Sequence, residues 1–180
     1  MDPSWATYTT LRTWAACTTP ATWTPTAPWS YQVGVWARSA GNTVDYPEAS
    51  AALVYDVVPD VRGAYTGSGS ATNSGCTDPS DNGSASLSGT LTISSQVGGN
   101  ISGSLSIVAC SSDGCESDML TLSGTITATG QVSGTLVDAE GSYRYNGTLS
   151  GNTLSLTFAG AWRDDIGSCN VTGSFTATRP

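Results

Sequence analysis

The sequence predicts an all-β protein whose larger part is an eight-stranded antiparallel up-and-down barrel. Three observations carry that reading. Charged residues are only 11% of the 180-residue chain while Gly, Ser and Thr abound, a vocabulary poor in strong helix formers. A five-residue phrase (apolar, Ser/Thr/Asn, Gly, Ser/Thr, apolar) occurs six times: Leu87-Ser-Gly-Thr-Leu91, Ile101-Ser-Gly-Ser-Leu105, Leu122-Ser-Gly-Thr-Ile126, Val132-Ser-Gly-Thr-Leu136, Tyr145-Asn-Gly-Thr-Leu149 and Val171-Thr-Gly-Ser-Phe175. Degenerate copies stand at Tyr65-Thr-Gly67 and Phe158-Ala-Gly-Ala-Trp162. With a side-chain period of two, each copy places its apolar residues and its glycine on one face and its hydroxyls on the other. Finally, the connections between copies are mostly short, as hairpin-linked neighbours require.

The first 58 residues use different words. They hold five of the six tryptophans (Trp5, Trp14, Trp23, Trp29, Trp36) and five of the eight prolines. Ser30–Arg38 alternates as a strand with Tyr31, Val33, Val35 and Ala37 on one face, and Ala51–Val57 does so with Ala51, Leu53, Tyr55 and Val57. Turn-forming Ser39-Ala-Gly-Asn-Thr43 lies between them, which predicts a hairpin. The run Thr22-Trp-Thr-Pro-Thr, then Tyr31-Gln-Val-Gly-Val-Trp-Ala-Arg-Ser-Ala-Gly-Asn-Thr43, Glu48-Ala and Tyr55 resembles the C-terminal portion of immunoglobulin-like repeats of bacterial surface and secreted proteins. The resemblance covers roughly residues 5–58. It implies a sandwich-type sheet with Tyr31 near the start of strand F, a tethering role and no catalytic residues. Such repeats carry about three further strands upstream. The chain is therefore read as a fragment of a longer protein, as a shortened module packed on the barrel, or as one completed by strands from another subunit. On the last reading Trp5, Trp14, Trp29 and Trp36 mark the assembly surface. Pro59-Asp-Val-Arg-Gly63 reads as a short linker, so the domains are 1–58 and 64–180.

Barrel strands are expected at 64–70, 86–94, 100–109, 119–128, 131–137, 142–149, 153–162 and 169–178. Mid-strand glycines let a strongly coiled sheet bend and leave room for neighbouring aromatics. Tyr65, Tyr145, Phe158, Trp162 and Phe175 are expected to fill the interior with Leu, Ile and Val. A two-sheet β-sandwich from the same strands is the alternative. Eight strands can be filled by their own side chains or hold one small apolar ligand; the likeness to ligand-holding barrels such as lipocalins is one of architecture alone.

Strand order sorts the loops onto two ends. Connections 95–99, 129–130 and 150–152 carry no charge, while 71–85, 110–118, 138–141 and 163–168 hold Asp78, Asp81, Asp113, Glu116, Asp118, Asp138, Glu140, Asp164 and Asp165. Those are all the acids of residues 64–180. Four cysteines follow the same sorting, with Cys110 and Cys115 flanking a loop and Cys76 and Cys169 beside strands that meet if the sheet closes. Four cysteines allow three pairings; Cys17 is left over. Three carboxylates within Asp113–Asp118, facing Asp164 and Asp165, are a candidate calcium site, although no EF-hand spacing is present; a solvated acidic rim explains them equally.

The net charge of −8 argues against nucleic acid and anionic membranes. No apolar run reaches membrane-spanning length. There is no histidine and no Gly-x-Ser-x-Gly, Cys-x-x-Cys or phosphate-loop motif, which removes the commonest routes to catalysis. Carboxylate pairs such as Glu140 with Asp164 leave glycoside hydrolysis as a remote option. Flat tryptophan faces make carbohydrate a possible partner. The five cysteines and hydroxyl-rich surface suit an extracellular or cell-surface protein, although Met1-Asp-Pro-Ser-Trp is not a leader. The sequence-level expectation is a non-catalytic surface or structural protein, attached or assembled through residues 1–58 and presenting an acidic rim to a partner, with no cofactor other than calcium.

Overall fold

The computed structural model describes residues 29–37, 49–163, 165 and 167–180, with backbone alone for 29–37 and 49–56. Trp5, Trp14, Cys17 and Asp164 lie outside the described residues. Two strands, β1 (Trp29–Ala37) and β2 (Ala49–Val57), pair antiparallel with Tyr31 opposite Tyr55 and Val33 opposite Leu53. The expected hairpin partners are therefore in register.

Eight further strands follow: β3 (Gly63–Ser74), β4 (Gly83–Val97), β5 (Asn100–Ser111), β6 (Gly114–Ile126), β7 (Gln131–Val137), β8 (Gly141–Ser150), β9 (Thr153–Arg163) and β10 (Ser168–Thr178). Each pairs antiparallel with its neighbour in sequence, and β10 pairs with β3 to close a barrel. The two-sheet sandwich is excluded for these strands, because closure leaves no free edge.

Burial alternates along the repeated phrase in the barrel strands, and the side chains inside are those on its glycine face. Glycines stand opposite large inner residues: Gly134 pairs with Tyr145, Gly160 with Tyr143, Gly69 with Phe175 and Gly173 with Phe158. A Cβ at Gly134 would collide with the Ser123 carbonyl and the Tyr145 hydroxyl, and one at Gly173 with the Phe158 ring. The missing side chains thus allow strands to coil tightly around aromatic rings. Tyr65, Tyr145 and Phe175 are essentially fully buried, whereas Phe158 and Trp162 are half-buried at the edge of the core. Tyr143, absent from the sequence-based interior, is buried and packs edge-on against Phe158 with ring centres 6.5 Å apart.

One end of the barrel is sealed by residues expected to be a linker. Val61 is 0% exposed and Val58 packs on the same core. The Val61 N–H donates to Gln96 Oε1 at 2.9 Å, Gln96 Nε2 donates to the Pro59 carbonyl at 2.9 Å, and the Tyr65 hydroxyl donates to the Val61 carbonyl at 2.9 Å. From the C-terminus, Arg179 Nη1 donates to the Arg62 carbonyl at 2.9 Å while its guanidinium lies over the Tyr65 ring, 5.6 Å from the ring centre. Asp60 and Arg62 form a doubly hydrogen-bonded ion pair, which holds the Asp60 carboxyl down at about 2. Residues 58–62 are a plug. A single buried valine, a satisfied backbone and an arginine latch turn the apparent joint into part of the core.

Candidate binding surface at the acidic end

The turns at the plugged end are tight: Gly98-Gly99, 127–130 and Gly151-Asn152, with φ of +57° at Gly98 and +58° at Gly151, where a Cβ would be strained. The opposite end receives connections 75–82, 112–113, 138–140 and 164–167. Asp78, Asp81, Asp113, Glu116, Asp118, Asp138, Glu140 and Asp165 lie there, and all but Asp138 are exposed.

Two disulfides brace this end. Cys76–Cys169 (2.02 Å) spans the closing seam between β3 and β10, and beside it the Thr77 N–H donates to the Ser168 carbonyl at 2.9 Å while the Ser168 N–H returns a bond to Thr77 Oγ1 at 3.1 Å. Cys110–Cys115 (2.02 Å) joins directly opposed residues of β5 and β6. The pairings are therefore the hairpin-tip and seam combination among the three that were open.

The 110–118 loop expected from the sequence is not a loop. β5 and β6 continue to Ser111 and Gly114, leaving Ser112-Asp113 as the turn. Gly114 adopts φ +133°, a value few other residues accept, and the adjacent disulfide fastens the ladder. As a consequence Glu116 and Asp118 are strand residues, on the same side of β6 as the buried Leu120 and Leu122. They line the barrel mouth.

The carboxylates differ in circumstance. Asp78 accepts from the backbone N–H of Ser80 at 2.9 Å and from its hydroxyl at 2.7 Å, capping the short 3-10 turn Pro79–Asp81; these bonds hold its carboxyl below the ordinary range. Asp138 accepts from the N–H groups of Glu140 and Gly141, which shapes the β7–β8 turn. Asp118 behaves oppositely. Although the residue is exposed, the protein around its carboxyl group strips some of its water and pushes it upward, the Met119 N–H (2.6 Å) works against that push, and the neighbouring Asp138 charge reinforces it. Below them the Tyr143 hydroxyl is raised, first by burial and then by the charges of Asp138 and Asp118. An inward acid pair above a buried tyrosine, with Trp162 half-buried beside Cys169, forms the floor of the mouth.

Of the calcium candidates, Asp113 sits in the turn, Glu116 and Asp118 follow along β6, and Asp165 is exposed in the β9–β10 connection. Among the described residues no group of three or more Asp, Glu, Cys or His side chains is placed to hold an ion. Trp29 and Trp36 are located in β1 by backbone alone. On the outer wall next to this end, Met119 (68% exposed), Val108 and Val137 are the exposed apolar side chains of β5, β6 and β7. Sequence reasoning missed Tyr143 and the Asp118–Asp138 contact. The alternation Tyr143-Arg-Tyr145 was the available signal for the first; the second follows from the extra length of β6.

Compared with known proteins, the chain matches no protein-family model and no curated sequence.

Proposed function

We propose that the chain is a non-catalytic extracellular surface or structural protein in which the barrel displays its acidic end to a partner carrying positive charge, while residues 1–58 attach or assemble from the opposite end. One observation carries the reading: the acids of the barrel strands and their connections gather at one end, and the polypeptide enters at the other through the Val61 plug. A single-signed, exposed charge array accelerates encounter with an oppositely charged surface and sets the orientation of docking. Disulfides at that end hold the array in place and fit an oxidising compartment. The outer wall is lined by Ser and Thr and the inside by apolar residues. That is the reverse of a membrane barrel, so the wall faces water.

The plugged, aromatic-filled interior supports a structural barrel over one that stores an apolar ligand. Carboxylate-directed cross-linking of the native material, read by mass spectrometry, tests the proposal. Links from Asp81, Asp113, Glu116 or Asp165 to lysine or arginine-rich peptides of one partner support it. Links confined to the wall or to the plugged end refute it.

A further inference from the structure

The two disulfides of the acidic end stand in different surroundings. Cys169 is 2% exposed, Cys76 is half-buried, and the reciprocal Thr77–Ser168 bonds join their chain neighbours. Cys115 is exposed at the tip of the β5–β6 hairpin, one rung from the Ser112-Asp113 turn. Asp113 stands in the adjoining turn, Glu116 and Asp118 follow within three residues on the inner face of β6, opposite to Cys115, and none of the three is paired with a cation in the described residues.

We infer that Cys110–Cys115 is a thiol-exchange site that favours positively charged thiols. An incoming thiolate attacks Sγ of the exposed Cys115; the protein S–S bond breaks, and Cys110 leaves as a thiolate that takes a proton from water. The product is a mixed disulfide on Cys115. A second thiolate, from the same dithiol or another molecule, attacks the incoming sulfur and releases Cys115, so two thiols are oxidised to a disulfide as the protein bond is reduced by two electrons. Attack requires an approach along the S–S axis, which burial denies at Cys169 and exposure allows at Cys115. The surrounding carboxylates concentrate a cationic thiol and repel an anionic one. The hairpin keeps its ladder rungs from Ser111–Gly114 to Asn100–Thr125, so exchange changes the covalent state of the rim without dismantling the barrel.

The test treats the full chain, with Cys17 alkylated beforehand, with cysteamine, 2-mercaptoethanol or 3-mercaptopropionate, and locates adducts by mass spectrometry. Each rate is divided by that of the same thiol with hydroxyethyl disulfide, which removes intrinsic reactivity. Adducts are expected at Cys115, with Cys110 as a free thiol, at least about tenfold faster than at Cys76 or Cys169, because access limits exchange. The normalised rates should fall from cysteamine to mercaptopropionate by about tenfold at low salt and draw together in about 1 M salt. Asp113→Asn with Glu116→Gln should flatten that order while leaving the site reactive. Equal attack on Cys76–Cys169, or a flat or reversed order at low salt in the native chain, overturns the inference.

Discussion

The two ends of the barrel solve different problems with different chemistry. At the plugged end, Val61 is wholly buried and each polar group around it has a partner, so the end contributes core. At the acidic end the side chains with most charge face water and are organised by local turns and two disulfides. Buried contacts stabilise the fold, whereas exposed like charges contribute little to it and tend to repel. The contrast teaches that at the acidic end the exposed carboxylates are separable from the contacts that hold the fold, which there are the two disulfides and the strand ladders beneath them.

The contrast is broken most forcefully by placing a charge in the plug. Val61→Asp should cost about 4 kcal/mol or more, the scale of an unpaired buried carboxylate, seen as a lower urea midpoint; Asp113→Asn should stay within about 0.5 kcal/mol. The disulfides come next. Replacing Cys76 and Cys169 by serine releases a ring spanning a sequence separation of 93, with an expected loss of about 4–5 kcal/mol on loop entropy. The same change at Cys110 and Cys115, five residues apart, should cost about 2 kcal/mol.

Alkaline titration probes the interior between the ends. Burial raises the Tyr145 hydroxyl to about 12, above its unfolded value near 10. The folded state thus keeps a proton that the unfolded chain releases. Through Tyr145 alone stability should be constant below about pH 10 and fall by roughly 2 kcal/mol as pH rises to 12, with the raised Tyr143 adding to the same fall, checked by urea unfolding at successive pH values. The latch gives a smaller effect. Arg179→Ala removes its hydrogen bond to the Arg62 carbonyl and its cover over Tyr65, for about 1–2 kcal/mol. Smallest is the Asp60–Arg62 pair, 60% exposed on each side. The depressed Asp60 carboxyl stabilises above its unfolded pKa, and that contribution is lost as pH falls from about 4 through 2. Faster hydrogen exchange at the Val61 N–H in that window is the expected sign.

Much of the barrel was legible because a single repeated phrase ties glycine, apolar and hydroxyl positions to the two faces of a strand. Closure, strand order and the sorting of acids and cysteines follow from it. The plug was not. Pro59-Asp-Val-Arg-Gly63 carries turn residues throughout, and nothing local marks Val61 as the residue that fills the mouth. Its partners Gln96, Tyr65 and Arg179 lie up to 119 residues away from the segment they hold. The site was half legible. Its acids were found, yet Glu116 and Asp118 were assigned to a loop because charged residues read as solvent-facing; a disulfide and Gly114 carry the strand past them. The immunoglobulin-like reading of residues 5–58 stays a proposal, with its hairpin pairing seen and Trp5 and Trp14 outside the described residues.

The central claim is the proposal that the exposed carboxylates of the acidic end form a contact surface and do not themselves support the fold. It is tested most directly by one variant, Asp81→Asn, Asp113→Asn, Glu116→Gln and Asp165→Asn together, measured both for unfolding free energy and for recovery in the native complex by size exclusion. The account predicts stability within about 1 kcal/mol of the unaltered chain and loss of the complex. Unchanged recovery in the complex would contradict it.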